Sequence, residues 1–438
     1  MLGMTLALRL AQAGHHVTLK EAAPALGGMA DAWDLGDVTW DRHYHVILLS
    51  DQCLRALLDE IGLDTDLRWA DPASGFFAGD RLYPLTSAID YLRFPEIGFF
   101  DKVRLALSMA YAARVDDGLA LEQVPVSDWL IRLSGQRNFQ KIWRPLLRSK
   151  LGENYKHASA AFIWAIIRRL YAAQRAGLSA EKFGYVPGGY PRILDRLHRH
   201  LIDAGVRIEV SSPVSRVARE GAELRLTSND RTEVYDQVVV TVASPLATRM
   251  CDGLADDETA RHAAIRYQGI VCASVLLKRP LGGYYLSYIT DETLPFTTVI
   301  EMTALIDPEQ VGGHTLIYLP KYATTDDPVF SWSDNEIQER FITGLRRMYP
   351  DLADDDVIAF RVSRVPHVLA IPTMDYSARL PPTATAVAGL HIINAAHIVN
   401  GTLNVNETVA LANDAAVELL QSSIPAPAAK SDPVLETA

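Results

Sequence analysis

An α/β fold is what this 438-residue sequence predicts, and three observations predict it. The first thirty residues read as a helix, a short strand, an acidic residue and a glycine pair, the order of a βαβ nucleotide motif. A long middle stretch carries helix-period apolar residues and few strand signals. The last patterned segment returns to a strand followed by a helix. Together they give a Rossmann-like nucleotide-binding domain built from both chain ends, a mixed-sheet substrate domain and a helical insertion.

The first helix is apolar and rich in Ala and Leu; it runs from Gly3 to about Ala13 and ends at Gly14. His16 to Lys20 makes a short strand, Glu21 closes it, and Gly27-Gly28 follows. A helix start offers free N–H groups and a positive dipole end to a pyrophosphate, and Gly3 lets this helix approach its strand closely. A lone glycine there is only a cap; the whole combination carries the reading. In a complete dinucleotide fold an acidic residue ~20 positions past the glycine loop binds a ribose hydroxyl. Glu21 has that spacing if Gly3 is the last glycine of GxGxxG. The first strand and two glycines then precede Met1, so the encoded protein is expected to start ~8–12 residues earlier. Absence of that strand would weaken nucleotide binding.

Residues 51–66 look helical, with Leu54, Leu57, Leu58 and Ile61 on one face and a stop at Gly62. Phe76 to Pro84 alternates around Gly79-Asp80, as a hairpin does. From Leu85 to Leu178 the helix period appears in 101–115, 126–134 and 158–175. Tyr190 to Ala204 is an amphipathic helix capped by Gly205. Strands are expected at Val206–Val210, Val214–Arg219, Glu223–Thr227 and Gln237–Val242, with several more in 267–320 turning at Gly282-Gly283 and Gly312-Gly313. A helix over 334–348, a strand at His391–Asn394 and a helix from Asn406 to Leu420 complete the pattern. Residues 1–75, 184–265 and 376–420 are thus assigned to the nucleotide domain. Residues 76–183 and 266–375 fall to the substrate domain, its helical part first. The Pro/Ala/Ser-rich tail 421–438 has little to bury and is expected to be disordered.

The net charge of -11 argues against a nucleic-acid partner, which needs clustered Lys and Arg. Cys53, Cys251 and Cys272 are odd in number and far apart, so they offer no metal or redox pair and fit a reducing, cytoplasmic setting. No stretch reaches ~18 uninterrupted apolar residues, so no transmembrane helix is expected. The first helix lacks the basic start of a signal peptide. The stretch Phe94 to Met109 allows peripheral membrane contact, with a buried helical subdomain as the first expectation.

Several segments resemble one superfamily. Glu21-Ala-Ala-Pro-Ala-Leu-Gly27-Gly28-Met29-Ala30 resembles the ribose-binding glutamate and Gly-Gly signature of FAD-dependent amine oxidases, protoporphyrinogen oxidases and phytoene desaturases. Gly184-Tyr-Val-Pro187-Gly188-Gly189-Tyr190 resembles its PxGG segment. Val214 matches the position whose backbone meets the adenine, and Asp236 to Pro245 resembles the strand that passes near FAD. Trp40 to His45, Trp143 to Leu147 and Tyr318 to Tyr322 are similar to a bacterial protoporphyrinogen-oxidase-like branch. The resemblance implies non-covalent FAD and hydride removal from a C–N or C–C bond of a small organic substrate, with oxygen or another acceptor taking the electrons.

The C-terminal motif departs from that pattern. Where the superfamily has Gly-Asp, the strand Leu390-His-Ile-Ile393 is followed by Asn394-Ala395, which can hydrogen-bond but brings no charge. Gly401 to Thr408, with Asn404, Val405 and Asn406, resembles the start of the helix aimed at the flavin pyrimidine, where its N–H groups stabilise negative charge. The plainer reading is a surface helix capped by Asn404 or Asn406.

The resemblance places His43, Tyr44 and His45 near the flavin ring, where a histidine titrating near neutrality orients substrate or moves protons. Otherwise one of them simply satisfies buried backbone. Arg144, with Arg148 one turn on, binds an anionic substrate or forms a structural ion pair. Lys278 loosely matches a lysine that holds water at the flavin. Tyr284 and Tyr285 wall a cavity or pack in the core. Two rival functions follow: a non-redox enzyme similar to UDP-galactopyranose mutases, and a scaffold that no longer binds FAD.

Overall fold

A computed structural model describes residues 1–86, 88–175, 182–399 and 402–422. The tail expected to be disordered lies outside them from residue 423 onward.

Both ends of the chain build one layer. Helix α1 (Leu2–Gln12) leads into strand β1 (Thr18–Lys20), which pairs in parallel with β2 (Arg207–Glu209). Strand β3 (Val238–Val240) pairs in parallel with β4 (Leu390–Ile392). Helix α2 (Val405–Ser422) packs on α1 through Leu6, Ala412, Ala415 and Ala416. Small residues on both helices allow that approach. Arg9 Nε reaches Asn413 Oδ1 at 2.8 Å and ties the two ends across the surface. Gly3 sits between the two strand pairs: a Cβ there would lie 3.3 Å from Thr241 Oγ1 and 3.5 Å from Leu19 Cδ1.

The second layer is a seven-stranded mixed sheet ordered Val357–Ala370, Tyr267–Leu277, Thr315–Thr324, Thr298–Glu301, Tyr284–Ile289, Ala73–Ala78 and Arg81–Pro84. Its pairings are antiparallel except that between Tyr284–Ile289 and Ala73–Ala78. Strand Tyr267–Leu277 is buried along its whole length because both faces are covered. Val271, Ala273 and Val275 face the helix Asp334–Met348, while Ile270, Cys272 and Leu276 face a core shared with Trp40 and Tyr318. A third layer of helices, from Ala88–Arg93 to Ala160–Arg175, packs around Trp129, Trp143 and Trp164. Its longest outward element is Phe99–Ala112, which buries Lys102, Leu105, Ser108 and Ala112 and leaves the opposite face in solvent. Among the described residues no helix is long and apolar enough to cross a membrane.

The Gly79-Asp80 turn is observed, with both residues at positive φ (56° and 59°), the geometry of the two-residue hairpin turn. Several elements were not foreseen, the longest of them the strand Val357–Ala370; two others are ribbons. Ala32–Leu35 pairs with Val38–Asp41 across a turn at Gly36, and Arg231–Tyr235 adds a third strand beside Glu223–Ser228. Both are short ribbons whose exposed faces carry Asp, Thr, Glu and Arg, which hides the period-two signal. The last strand stops at Ile392 rather than Asn394, because the Asn394 side chain turns back to cap Ala396 N–H at 3.0 Å.

Candidate functional site

The starts of α1 and α2 open on one cavity of about 190 Å3. Leu2, Met29, Thr241, Asn394, Leu403 and Thr408 line it from the first layer, and Tyr267 and His367 close it from the sheet. Leu2 is the first residue of α1, and Leu403 and Thr408 flank the first turn of α2, so two helix N-termini face the same space. Their free N–H groups favour an anionic or electron-rich ligand.

The glycine pair aims Met29 into this cavity. Gly27 has φ +126°, and a Cβ on it would lie 2.6 Å from Leu194 Cδ1; Gly28 follows at φ +61° and starts the tight turn Gly28–Ala30. Glu21 stands just past β1. Its Oε1 accepts the Ala23 N–H at 2.9 Å, and its carbonyl accepts the Ser212 N–H at 2.8 Å. That bond brings the segment leading to Val214 beside Glu21. Val214 itself opens a strand, paired with Ser228.

Asn394 is buried and fully used. Its Nδ2 donates to the Val242 carbonyl at 3.0 Å and to Ser244 Oγ at 3.3 Å. Asn404 caps α2, accepting the Glu407 N–H at 3.0 Å. Asn406 instead accepts the Leu54 N–H at 3.0 Å and fastens α2 to the helix Gln52–Glu60. Val405 is the first residue of α2.

His43 is buried, with Nδ1 3.1 Å from the Met29 carbonyl. A carbonyl only accepts, so Nδ1 carries the proton and Nε2 is left as a bare lone pair, without a protein partner. His45 lies against Tyr190 with ring centroids 4.7 Å apart, and its Nδ1 is also unpartnered. Burial pushes the His43 pKa down to about 4 and that of His45 to about 3. The expectation of a histidine titrating near neutrality is therefore corrected: both rings are neutral at physiological pH, because the site is too dry to hold their cations.

Tyr44 points the other way. Its hydroxyl lies 2.9 Å from that of Tyr322 and 3.4 Å from Lys150 Nζ. The Lys150 ammonium also sits 5.3 Å and 5.5 Å from the two ring centroids, within cation–π range. Burial and the neighbouring Tyr322 raise the Tyr44 pKa well above its ordinary value. Behind this group Asp41 is buried, accepting the Tyr190 N–H at 2.8 Å, while its own carbonyl accepts from the Tyr318 hydroxyl at 2.6 Å. Burial pushes its carboxyl up to about 8. Gly189 makes room for it, since a Cβ there would stand 2.7 Å from Asp41 Oδ1.

Other candidates are not brought here. Arg144 and Arg148 both pair with Glu292 at the surface, at 2.7 Å and 2.8 Å, which is the structural ion pair of the two readings. Lys278 is exposed and pairs with Asp355 at 3.2 Å. Tyr285 packs against Phe183 in the core. Lys150 and Asp41 were missed, although each lies within two residues of a position that was singled out.

The site fits a flavin nucleotide on its own terms. Buried polar atoms without protein partners gather in the first 45 residues, among them Thr5 Oγ1, Asp31 Oδ1, His43 Nε2 and His45 Nδ1. Buried polar groups normally find partners, and His43 bonds to Met29, which lines the cavity, so the free Nε2 of His43 suits a polar ligand near that turn.

Over residues 2–420 the chain matches the flavin containing amine oxidoreductases, and it belongs to that family. Its cofactor class is therefore a flavin. A carotenoid phi-ring synthase of Streptomyces griseus is 27% identical over 270 residues, covering 57% of this chain and 52% of that protein. The match thus spans about half the length of that relative. A coproporphyrinogen III oxidase of Mycobacterium tuberculosis (strain ATCC 25618 / H37Rv) is 25% identical over 360 residues, 76% of this chain and 77% of that one. Among solved structures, one from Exiguobacterium sp. 255-15, provisionally assigned as a protoporphyrinogen oxidase, aligns with TM-score 0.76 over 96% of both chains. At 17% identity that likeness shows a shared fold.

Proposed function

We propose that this chain removes a hydride from a C–N or C–C single bond of a small organic substrate. Bound FAD supplies the hydride acceptor. The start of α1 at Gly3 holds the pyrophosphate, Glu21 the ribose, and the backbone near Val214 the adenine. Gly27, Gly28, Met29 and Ala30 shape the turn along the cofactor, with Asn394 bridging the loops on its far side. The start of α2, at Asn404, Val405 and Asn406, stabilises negative charge on the ring. Tyr44, Tyr322 and Lys150 form the substrate-facing group: two aromatic faces orient the molecule and the ammonium sets which charges it tolerates. His43 acts as a neutral acceptor rather than as a proton carrier. Positioning is the main task of such a site, which agrees with the lack of a strong acid–base pair. The substrate reaches the protein from water or from a lipid surface, in the cytoplasm.

The observation that carries this reading is the convergence of two helix N-termini from opposite chain ends on the cavity that holds Met29. The test is to purify the chain with added FAD and record its visible spectrum. Candidate amines, porphyrinogens and polyenes are then added anaerobically. Bleaching of the flavin band by one of them is expected. A colourless protein even with excess FAD would defeat the reading. Sugar isomerisation that needs reduced flavin, with no net oxidation, would replace it with a mutase.

A further inference from the structure

We propose that a surface cleft separate from the cofactor cavity binds a small multivalent oxyanion, a carboxylate or phosphate compound. The cleft holds about 340 Å3 and shares no lining residue with that cavity. Lys156, Arg266 and Arg379 line it together with His157, and no carboxylate does. The cleft is firmly built. Three segments are woven together there: the Val126 N–H donates to the Ala158 carbonyl at 3.0 Å, the Ser159 N–H to that of Pro372 at 2.8 Å and the Ala160 N–H to that of Val124 at 2.7 Å. Buried Glu122 anchors the segment that leads to Arg379. Its Oε2 accepts the Ser377 N–H at 3.0 Å and hydroxyl at 2.8 Å, and its carbonyl accepts the Asp375 N–H at 3.1 Å. Arg266 is steered by Asn154, which is itself fixed by a 2.7 Å bond to buried Gln268.

The arginines say what the cleft takes. Each spends one nitrogen inside the protein: Arg266 Nη1 on Asn154 Oδ1 at 3.4 Å, and Arg379 Nη1 on the Met374 carbonyl at 3.2 Å and Thr373 Oγ1 at 3.5 Å. Nε and Nη2, the fork that grips a carboxylate or phosphate with two parallel bonds, have no protein partner on either residue among the described residues. The nearby acids do not answer them. Glu153 pairs with Lys156 and with Arg148, both at 2.7 Å, and Glu122 is spent on Ser377. Asp375 follows Met374 in the chain but lies outside the lining and forms no ion pair among the described residues. A chain of net charge -11 therefore holds a hollow whose charged lining is all positive. Two free forks in one hollow suit a ligand with more than one oxyanion face. Pro125, Ala158, Ala264 and Met374 give its carbon frame an apolar wall.

The test is titration calorimetry of the full chain, after FAD loading and gel filtration, with citrate and with pyrophosphate at about 0.15 M salt. Saturable binding of at least one probe is expected. Citrate alone assigns the cleft to carboxylates, pyrophosphate alone to phosphates, and both to the shared oxyanion chemistry. Arg266→Gln and Arg379→Gln should each weaken binding about tenfold, as loss of a charge-assisted contact does. Lys156→Gln should weaken it only about twofold, because Glu153 already holds that ammonium. Arg231→Gln, an exposed arginine that does not line the cleft, should leave it unchanged. All four variants should keep the parent's melting temperature, since each side chain is exposed. The proposal is overturned if neither probe binds or if the double variant Arg266→Gln/Arg379→Gln binds as the parent does. It is equally overturned if Arg231→Gln weakens binding as much as the cleft variants, which would mean diffuse attraction to surface charge.

Discussion

Gly27 and Lys150 are held in opposite ways. Gly27 is fixed by backbone: its φ of +126° and the 2.6 Å approach to Leu194 leave room for no other residue. Lys150 is fixed by its neighbours, the rings of Tyr44 and Tyr322, on an exposed stretch of helix that would tolerate many side chains. The proposed cofactor layer thus depends on what is absent, a Cβ, and the proposed substrate group on what is present. Damage to the first should cost the cofactor and the fold together. Damage to the second should cost turnover alone.

The largest expected effect tests the first half of that contrast. Gly27→Ala forces a side chain into a strained backbone region, about 1–3 kcal/mol before the clash with Leu194 is counted. Loss of bound FAD and a lower melting temperature are expected together. A yellow, equally stable variant would show that the turn yields. Lys150→Met probes the other half. Anaerobic flavin bleaching by the best substrate should slow by about tenfold or more, while flavin content and melting stay unchanged. Equal losses in both readouts would erase the distinction between the layers.

The pH response sharpens the comparison further. Asp41 has its pKa raised from 3.8 to about 8, so the folded state holds a proton that the unfolded state releases. Its contribution is full below about pH 4 and is lost as pH rises towards 8. Asp41→Asn should therefore flatten the decline of melting temperature across that window. His43 and His45 act with the opposite sign. Their folded pKa values lie below 6.5, so their contribution is full above it and is lost as pH falls towards 4 and 3. His43→Gln should soften acid unfolding there, and the parent's turnover should show no inflection from either histidine near neutrality. The smallest effect is expected from Arg144→Ala. An exposed ion pair contributes ~0–1 kcal/mol, and bleaching rates should not move.

Much of the cofactor layer was legible in the sequence because it is written in local rules. Gly14, Gly27-Gly28 and Gly188-Gly189 mark places where only glycine fits, and a helix start or a short strand announces itself within ten residues. The structure agrees at α1, β1 and α2. The tyrosine–lysine group was less legible. Tyr44, Lys150 and Tyr322 are far apart along the chain, and no spacing rule links residues that meet only when two layers pack. Arg144 drew attention for its chemistry, yet Glu292, which neutralises it, lies almost 150 positions away and could not be foreseen. The histidines show a third limit: their identity suggests titration near neutrality, but the burial that removes it belongs to the tertiary structure.

The pairing of both chain ends has a consequence for the order of assembly. Strand β1 finds its partner β2 only after some 190 further residues, and α1 meets α2 across 404 positions, from Arg9 to Asn413. During synthesis strand β1 must therefore keep an open edge until about half of the chain is made, and helix α1 an apolar face until almost all of it is. Such long-range closure is slow and leaves the waiting parts open to wrong partners. Cofactor capture should be the last event in maturation, and chaperone demand should be greatest for chains stalled before α2.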